Sequence, residues 1–373
     1  MLAKNEIKKV AHVIPSFYPV RGGIETLLHL ARPRLEDLYG VESIALAPQF
    51  SIMQPDIAEI DGLRTHLIPV PGDRRDVASP AVIASYFALI RRVLESESVD
   101  LVHVHGPYSL FHTAPKVARS MGLPLVHHLH GELAETLDSS TKIELSRASK
   151  VLAVSGAVAQ SMKRHFPESD PIVLPNGIEE LPIATRDHST SEFVIALVGR
   201  MDATKGFDYA LRAISLVKKR GIKVRIHIVG IGDIIYINSL LQKLDLSEET
   251  YFHGRSSRAK VIELMRSSMV LVASSVQTEG FSLVAAEAGG VGLPVIAFDT
   301  GGLAETVVDE VTGILVPNRD IESLAKALER YAREPKLRTT HGDNAVRHVR
   351  DRFSLDLFVS RLMIHYHEAY SRE

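Results

Sequence analysis

The chain has 373 residues, 45% of them hydrophobic and 24% charged, with a formal charge of −2 and no cysteine. That length favours two domains, since one core rarely grows past about 250–300 residues. The lack of cysteine excludes a disulfide scaffold, a thiolate metal site and a cysteine nucleophile and suits a reducing, cytoplasmic setting, while 18 Lys+Arg against 21 Asp+Glu in residues 1–180 give no reason to expect a nucleic-acid partner.

The opening residues do not read as a secretory signal, because the apolar run after Lys8 and Lys9 is short and broken by His12 and Pro15. No run approaches the roughly 18 apolar residues of a membrane span. Short apolar runs at 10–14, 43–47, 101–104, 125–129, 151–154 and 172–174 read as buried strands. Helical periodicity falls between them, at 23–38, 80–95, 109–121 and 156–166. Residues 179–192 are polar and lack a periodic apolar set, as a linker does.

A second series follows, with strands at 193–198, 224–229, 269–273, 294–297 and 313–316. Its helices fall at 207–219, 234–244, 258–266, 282–288, 303–308 and 321–332. A last helix, 355–370, carries Phe358, Leu362, Tyr366 and Tyr370 at i+4 spacing. That stripe packs either on its own domain or back on the first. Repeated βα units predict an α/β protein of two Rossmann-like, doubly wound parallel sheets that face a central cleft and bind ligands outside the strand carboxyl ends. The expected domains are 1–180 and 181–353, with 354–373 as the closing helix.

Four places carry candidate chemistry. Glu279-Gly280-Phe281-Ser282-Leu283 follows a strand and opens a helix, with Ser282 as a cap, so free N–H groups at 281–284 suit an anion. Glu287 follows among small apolar neighbours and reads as buried; ribose hydroxyls would answer it, whereas the plain alternative is a surface acid. Arg200 and Lys205 occupy the loop between another strand and helix, where they clamp phosphate or form a solvated basic turn. Gly22 and Gly23, with Arg21 and Glu25, lie between the first strand and helix, where paired glycines admit a ligand close to the backbone or simply make a turn. Gly230-Ile231-Gly232 is not read as a dinucleotide fingerprint, because Ile235 stands where a third glycine belongs.

Histidines crowd the first half: His103, His105, His112, His127, His128 and His130. His103 and His105 share one strand face, as do His128 and His130, which admits a metal site; Glu132 is the one carboxylate beside them. The competing reading is one working histidine with the others lining strand ends.

Taken in order, these residues resemble family 4 of the retaining, nucleotide-sugar-dependent glycosyltransferases of GT-B fold. Gly22-Gly23-Ile24-Glu25 resembles the family's glycine loop, and His130 in HLHGE its histidine facing the sugar. Asn176-Gly177-Ile178 resembles the close of the first domain, and Arg200 with Lys205 the "GR…KG" pair. Glu279 and Glu287 match the paired glutamates, and residues 301–305 and 312–316 the last landmarks. One departure is Gly289-Gly290-Val291 after the second glutamate, where glycine predicts an early helix stop.

The resemblance implies transfer of a sugar to an acceptor hydroxyl, on a saccharide, a lipid-linked molecule or a small molecule, with retention. It implies donor contacts from Gly22, Gly23, Arg200, Lys205, Glu279, Gly280, Phe281, Ser282, Leu283 and Glu287, with His130, Glu279, Arg200 and Lys205 at the reaction. No cofactor and no metal are expected, since the sequence holds no Asp-x-Asp segment and offers two cations and a helix N-terminus instead. A basic amphipathic stretch at 156–165, with Lys163 and Arg164, suggests peripheral contact with the inner membrane face or a solvated helix. Other classes remain: a sugar-nucleotide epimerase or a phosphorylase on a similar fold, a histidine-metal hydrolase, or a non-catalytic sugar-binding protein. The paired glutamates and the Arg/Lys loop argue against an epimerase, and the chain is short for a pyridoxal phosphorylase. Bound zinc would favour the hydrolase, and sugar binding without turnover the binding protein.

Overall fold

The computed structural model describes residues 6–15, 22–49, 56–60, 62–69, 80–106, 113–135, 137, 139–183 and 191–371. Its chain divides into two units, the first of residues 1–177 and 355–373, the second of residues 178–354.

In the first unit the apolar runs become strands in a βα series. Its elements are β1 (Lys9–Val13), α1 (Gly23–Tyr39), β2 (Glu42–Gln49), β3 (Ile57–Ile60), β4 (Leu63–Pro69), α2 (Pro80–Ser96) and β5 (Leu101–His105). There follow α3 (Thr113–Ser120), β6 (Leu125–Leu129), α4 (Ser139–Ser146), β7 (Lys150–Ala153), α5 (Gly156–His165) and β8 (Ile172–Val173). They form one eight-stranded sheet in the order β3-β4-β2-β1-β5-β6-β7-β8. Every neighbour pair is parallel except β3 with β4. The pleat sends alternate residues to opposite cores. Leu101, Val126 and Leu152 join one cluster, whereas Val102 and Val104 join another with Tyr86 and Val117.

The β3-β4 hairpin departs from the all-parallel expectation. Ile60 pairs with Leu63 at the end of the antiparallel ladder, and Gly62 stands at φ +77°.

The second unit contains β9 (Phe193–Val198), α6 (Phe207–Lys219), β10 (Val224–Val229), α7 (Ile234–Leu244), β11 (Thr250–Gly254), α8 (Arg258–Ser267) and β12 (Val270–Ala273). It continues with α9 (Leu283–Gly290), β13 (Val295–Phe298), α10 (Leu303–Thr306), β14 (Gly313–Val316), α11 (Ile321–Arg333) and α12 (Pro335–Phe353). The six strands run parallel in the order β11-β10-β9-β12-β13-β14. Ile195, Ile226 and Ile228 face one core, Ala196, Leu271 and Val295 the other. The start of the expected linker belongs to this unit, with Ile178 and Leu181 buried in its core; residues 184–190 lie outside the described ones.

The early stop expected of α9 does not occur: the helix runs through Gly289 and Gly290. A Cβ on Gly289 would meet Val349 at 3.0 Å, and one on Gly290 would meet Leu181 at 3.3 Å. These glycines let α12 and the 181 segment lie close against α9, and that packing outweighs glycine's helix cost of about 1 kcal/mol.

The closing helix α13 (Leu355–Tyr370) crosses back to the first unit. Phe358, Leu362 and Tyr366 are buried with Leu27, Leu35, Val126 and Leu152, and Tyr370 packs at the edge.

Candidate active site

The second sheet reverses direction between β9 and β12. The chain leaves β9 toward β10 on one side and reaches β12 from the other, so the loops after these two strands part and leave a crevice at their carboxyl ends. Residues 199–206 and 274–282 are those loops. They are tied together, with Val276 N donating to Thr204 O at 2.9 Å and the Ser274 hydroxyl to Lys205 O at 3.1 Å. The approach requires glycine at 206: its φ is +61°, and a Cβ there would lie 2.1 Å from Ser274 O. Gly230 serves the next loop in the same way, at φ +147° with Gly199 O where a Cβ would stand. That packing role accounts for the Gly230-Ile231-Gly232 motif.

This geometry brings Lys205 and Glu279 together, with Nζ and Oε1 2.5 Å apart. Ser275 Oγ donates to the same carboxylate oxygen. Beyond Glu279, Ser282 caps α9 by accepting from Ala285 N, and the N–H groups of Phe281 to Val284 make no hydrogen bond among the described residues. Gly302 N donates to Glu279 O at 2.7 Å and braces that loop from β13. The crevice therefore holds one ion pair and a helix N-terminus with spare donors. Arg200, on the same loop as Lys205, has its side chain 69% exposed and lies 3.3 Å from Asp202.

Glu287 is buried, as expected, but its partner is protein. Arg258, at the start of α8, reaches it through Nε at 2.8 Å and also pairs with Glu179. Burial pushes the Glu287 carboxyl above its ordinary value, and the Arg258 guanidinium opposes that shift.

In the first unit, Gly22 caps α1 and its N–H donates to Glu25 Oε2 at 2.7 Å; Gly23 opens the helix. Arg21 and His112 lie outside the described residues. His12, His103, His105 and His128 are buried on β1, β5 and β6, and His130 follows β6 and is partly exposed. His12 Nδ1 lies 3.0 Å from His105 Nε2, and His105 Nδ1 lies 3.0 Å from His130 Nε2. His103 Nδ1 meets Tyr366 OH on α13 at 2.6 Å. Two sets of three, His12 with His103 and His105, and His105 with His128 and His130, bring ligand nitrogens within 4.8 Å of one another. Both nitrogens of His105, shared by the two sets, are taken by neighbouring rings, so a metal would have to break that chain.

Two family profiles match successive parts of the chain: Glycosyltransferase Family 4 over residues 21–180 and Glycosyl transferases group 1 over residues 181–348. The chain is a family 4-like glycosyltransferase. It is 25% identical over 322 residues to the GPI3 subunit of phosphatidylinositol N-acetylglucosaminyltransferase of Saccharomyces cerevisiae, which covers 81% of this chain and 70% of that one. A sucrose-phosphate synthase structure from Thermosynechococcus elongatus superposes with TM-score 0.80 at 20% identity, covering 98% and 100% of the two chains. Anabaena HepE in complex with UDP-glucose superposes with TM-score 0.73 at 19% identity, covering 95% and 98%. These likenesses establish the GT-B fold.

Around this glycosyltransferase's candidate residues stand partners that sequence reading missed: Ser275, Arg258, Glu179, His12 and Tyr366. His12 left a signal, since it sits at the carboxyl end of a strand two residues beyond Val10 and so on the same face. Among the described residues no helix is long and apolar enough to cross a membrane.

Proposed function

We propose that the chain transfers a sugar from a nucleotide-diphosphate sugar to an acceptor hydroxyl, with retention and without a divalent metal. The observation that carries this reading is the crevice between β9 and β12, with Lys205 on one loop and the spare N–H groups of residues 281–284 on the other. In the reaction the bond from C1 to the phosphate oxygen breaks and its electron pair leaves with the nucleoside diphosphate. The bond from C1 to the acceptor oxygen forms on the same face, and the acceptor hydroxyl releases its proton. The difficult part is the charge that grows on the departing diphosphate.

Lys205, Arg200 and the N-terminus of α9 neutralise that charge. When donor binds, Lys205 exchanges Glu279 for phosphate, which frees the carboxylate to accept from sugar hydroxyls. The backbone of Gly280 to Leu283 meets the phosphates, Glu287 accepts from the ribose diol, and His130 meets the sugar. Gly22 and Gly23 admit the phosphates and acceptor close to the first unit's backbone. The HepE complex with UDP-glucose supports the donor class. Peripheral membrane contact stays part of this reading: Lys163 and Arg164 on α5 are half exposed, and their surface pairs with Asp170 and Glu132, each at 3.5 Å, hold them weakly.

Thermal-shift screening against UDP-, GDP-, ADP- and dTDP-sugars, followed by turnover with the stabilising donor, tests the proposal. We expect one donor class to raise the midpoint by mass action and the product to keep the donor's anomeric configuration. Lys205→Ala should lower turnover roughly a hundredfold to a thousandfold, the usual effect of removing one such charge-stabilising group. Excess chelator should leave the wild type active. Activity lost in chelator and restored by Mg²⁺ or Mn²⁺ overturns the metal-free part, and an inverted product overturns retention.

A further inference from the structure

Three strands of the first sheet bring imidazoles to one face, and three of the rings form a single line. His12 joins His105 through Nδ1 and Nε2, and His105 joins His130 through Nδ1 and Nε2, both at 3.0 Å. Two more rings flank the line without taking its nitrogens. The His103 ring lies tilted beside His105 with centroids 4.0 Å apart and bonds Tyr366, and the ring of His128 lies 4.2 Å from that of His130. Burial drives the basicity of all three rings down, His12 to about 3 and His105 and His130 well below the ordinary value. They are therefore neutral at physiological pH.

A neutral imidazole has one N–H and one lone pair. Two hydrogen bonds in series then force one tautomer on all three rings. In the first arrangement every proton is on Nδ1: His12 donates to His105, His105 donates to His130, and His130 offers an N–H at its remaining nitrogen. In the second every proton is on Nε2, the bonds run the other way, and His130 offers a bare lone pair. The far end of the line distinguishes them. His12 Nε2 is buried and has no hydrogen-bond partner among the described residues. The second arrangement would bury an N–H there without an acceptor, which folded proteins avoid more strictly than an unused acceptor.

We infer that His105 and His12 are positioning residues that hold His130 as its Nδ1–H tautomer, so that it meets the sugar as a hydrogen-bond donor and not as a base. The second clause rests on the reading of His130 given above; the tautomer itself does not.

Nitrogen NMR of the full chain, with labelled histidine rings and the His130 signals assigned by their loss in His130→Gln, reads the tautomer directly. The wild type should show His130 protonated on Nδ1. His105→Phe removes both bonds but keeps a flat ring, and should return His130 to Nε2–H, the form a free neutral imidazole prefers. Its kcat should fall about tenfold to a hundredfold, as when the partner that orients a working histidine is lost, with the affinity for nucleoside diphosphate unchanged. His105→Asn, whose amide can still donate toward His130, should restore part of that loss. If His105→Phe fails to fold, His12→Asn offers His105 Nε2 an amide that can accept as well as donate, and should leave His130 in a mixture of both forms. A wild-type His130 protonated on Nε2, or a tautomer unmoved in every variant, overturns the inference. Full activity of His130→Gln would instead defeat the role given to His130 while leaving the tautomer assignment standing.

Discussion

Glu279 and Glu287 lie on one loop-and-helix segment and differ in what answers their charge. Glu279 meets a mobile ammonium and a hydroxyl from the crevice, whereas Glu287 meets the Arg258 guanidinium inside the fold. Glu279 can therefore change partners when donor arrives, while Glu287 stays in place and presents its remaining capacity to the ribose. Glu287→Gln should weaken binding of bare nucleoside diphosphate by about 1.5–3 kcal/mol, the worth of a hydrogen bond to a charged group. Glu279→Gln should weaken the sugar-bearing donor more than the bare diphosphate. Arg258→Met should copy the Glu287 effect in part, since without the guanidinium burial alone acts on that carboxyl. Calorimetric titration of both ligands on all three variants checks this, and equal losses on both ligands for both glutamates would sink the division of labour. The two glutamates were legible in the sequence because they sit on one short segment. Arg258, Ser275 and Glu179 were not, because their contacts with the glutamates exist only once separate elements have packed. Arg200 reads as a phosphate clamp from its loop, and its neighbour there, Asp202 at 3.3 Å, is a partner that the sequence also places beside it.

Elements were legible where burial is written in apolar residues. Strands β9, β12 and β13 are nearly continuous runs of Val, Ile, Leu, Ala and Phe, and even where histidines interrupt β1, β5 and β6 the predicted bounds agree with the structure to within one or two residues. What escaped notice has another composition. The first buried positions of α12 are Arg338 and His341, both bonded to Tyr331, and Gly342, so its apolar stripe of Ala345, Val349 and Phe353 marks only the second half. Strand β11 is a half-exposed edge, and β3 is tied in by a turn. The stripe on α13 was plain, but its destination was not, because periodicity tells which face is buried and never against what. Its place in the first core gives a sharp expectation. Phe358→Ala should cost about 3–5 kcal/mol, as for other buried aromatic truncations. Although residue 358 follows the second unit in sequence, the damage should appear as lost hydrogen-exchange protection in β1, β5 and β6. Loss spread equally over both units would contradict the packing.

At the scale of the whole molecule, the histidines set how the two units respond to acid. His12, His103, His105, His128 and His130 are all held below their ordinary value, chiefly by burial. For His12 and His128 the folded value is about 3, against about 6.5 in the unfolded chain. Between those limits the unfolded state binds more protons, so stability rises with pH across that window and is level above it. Read downward, acid begins to remove stability near pH 6.5 and keeps removing it toward pH 3. Each such histidine adds a slope of about 1.4 kcal/mol per pH unit once well inside the window. In the second unit His227 is lowered to about 4, and His253, His341 and His348 are lowered less. The first unit should therefore lose stability more steeply as pH falls from 6.5 to 5. Native-state hydrogen exchange at a series of pH values resolves the two units in the intact chain. His128→Leu should reduce the first unit's slope by about 1.4 kcal/mol per pH unit and leave that of the second unit alone. Equal slopes in both units, or a slope unmoved by the substitution, would mean that the buried imidazoles are already protonated in the fold or equally neutral in the unfolded chain.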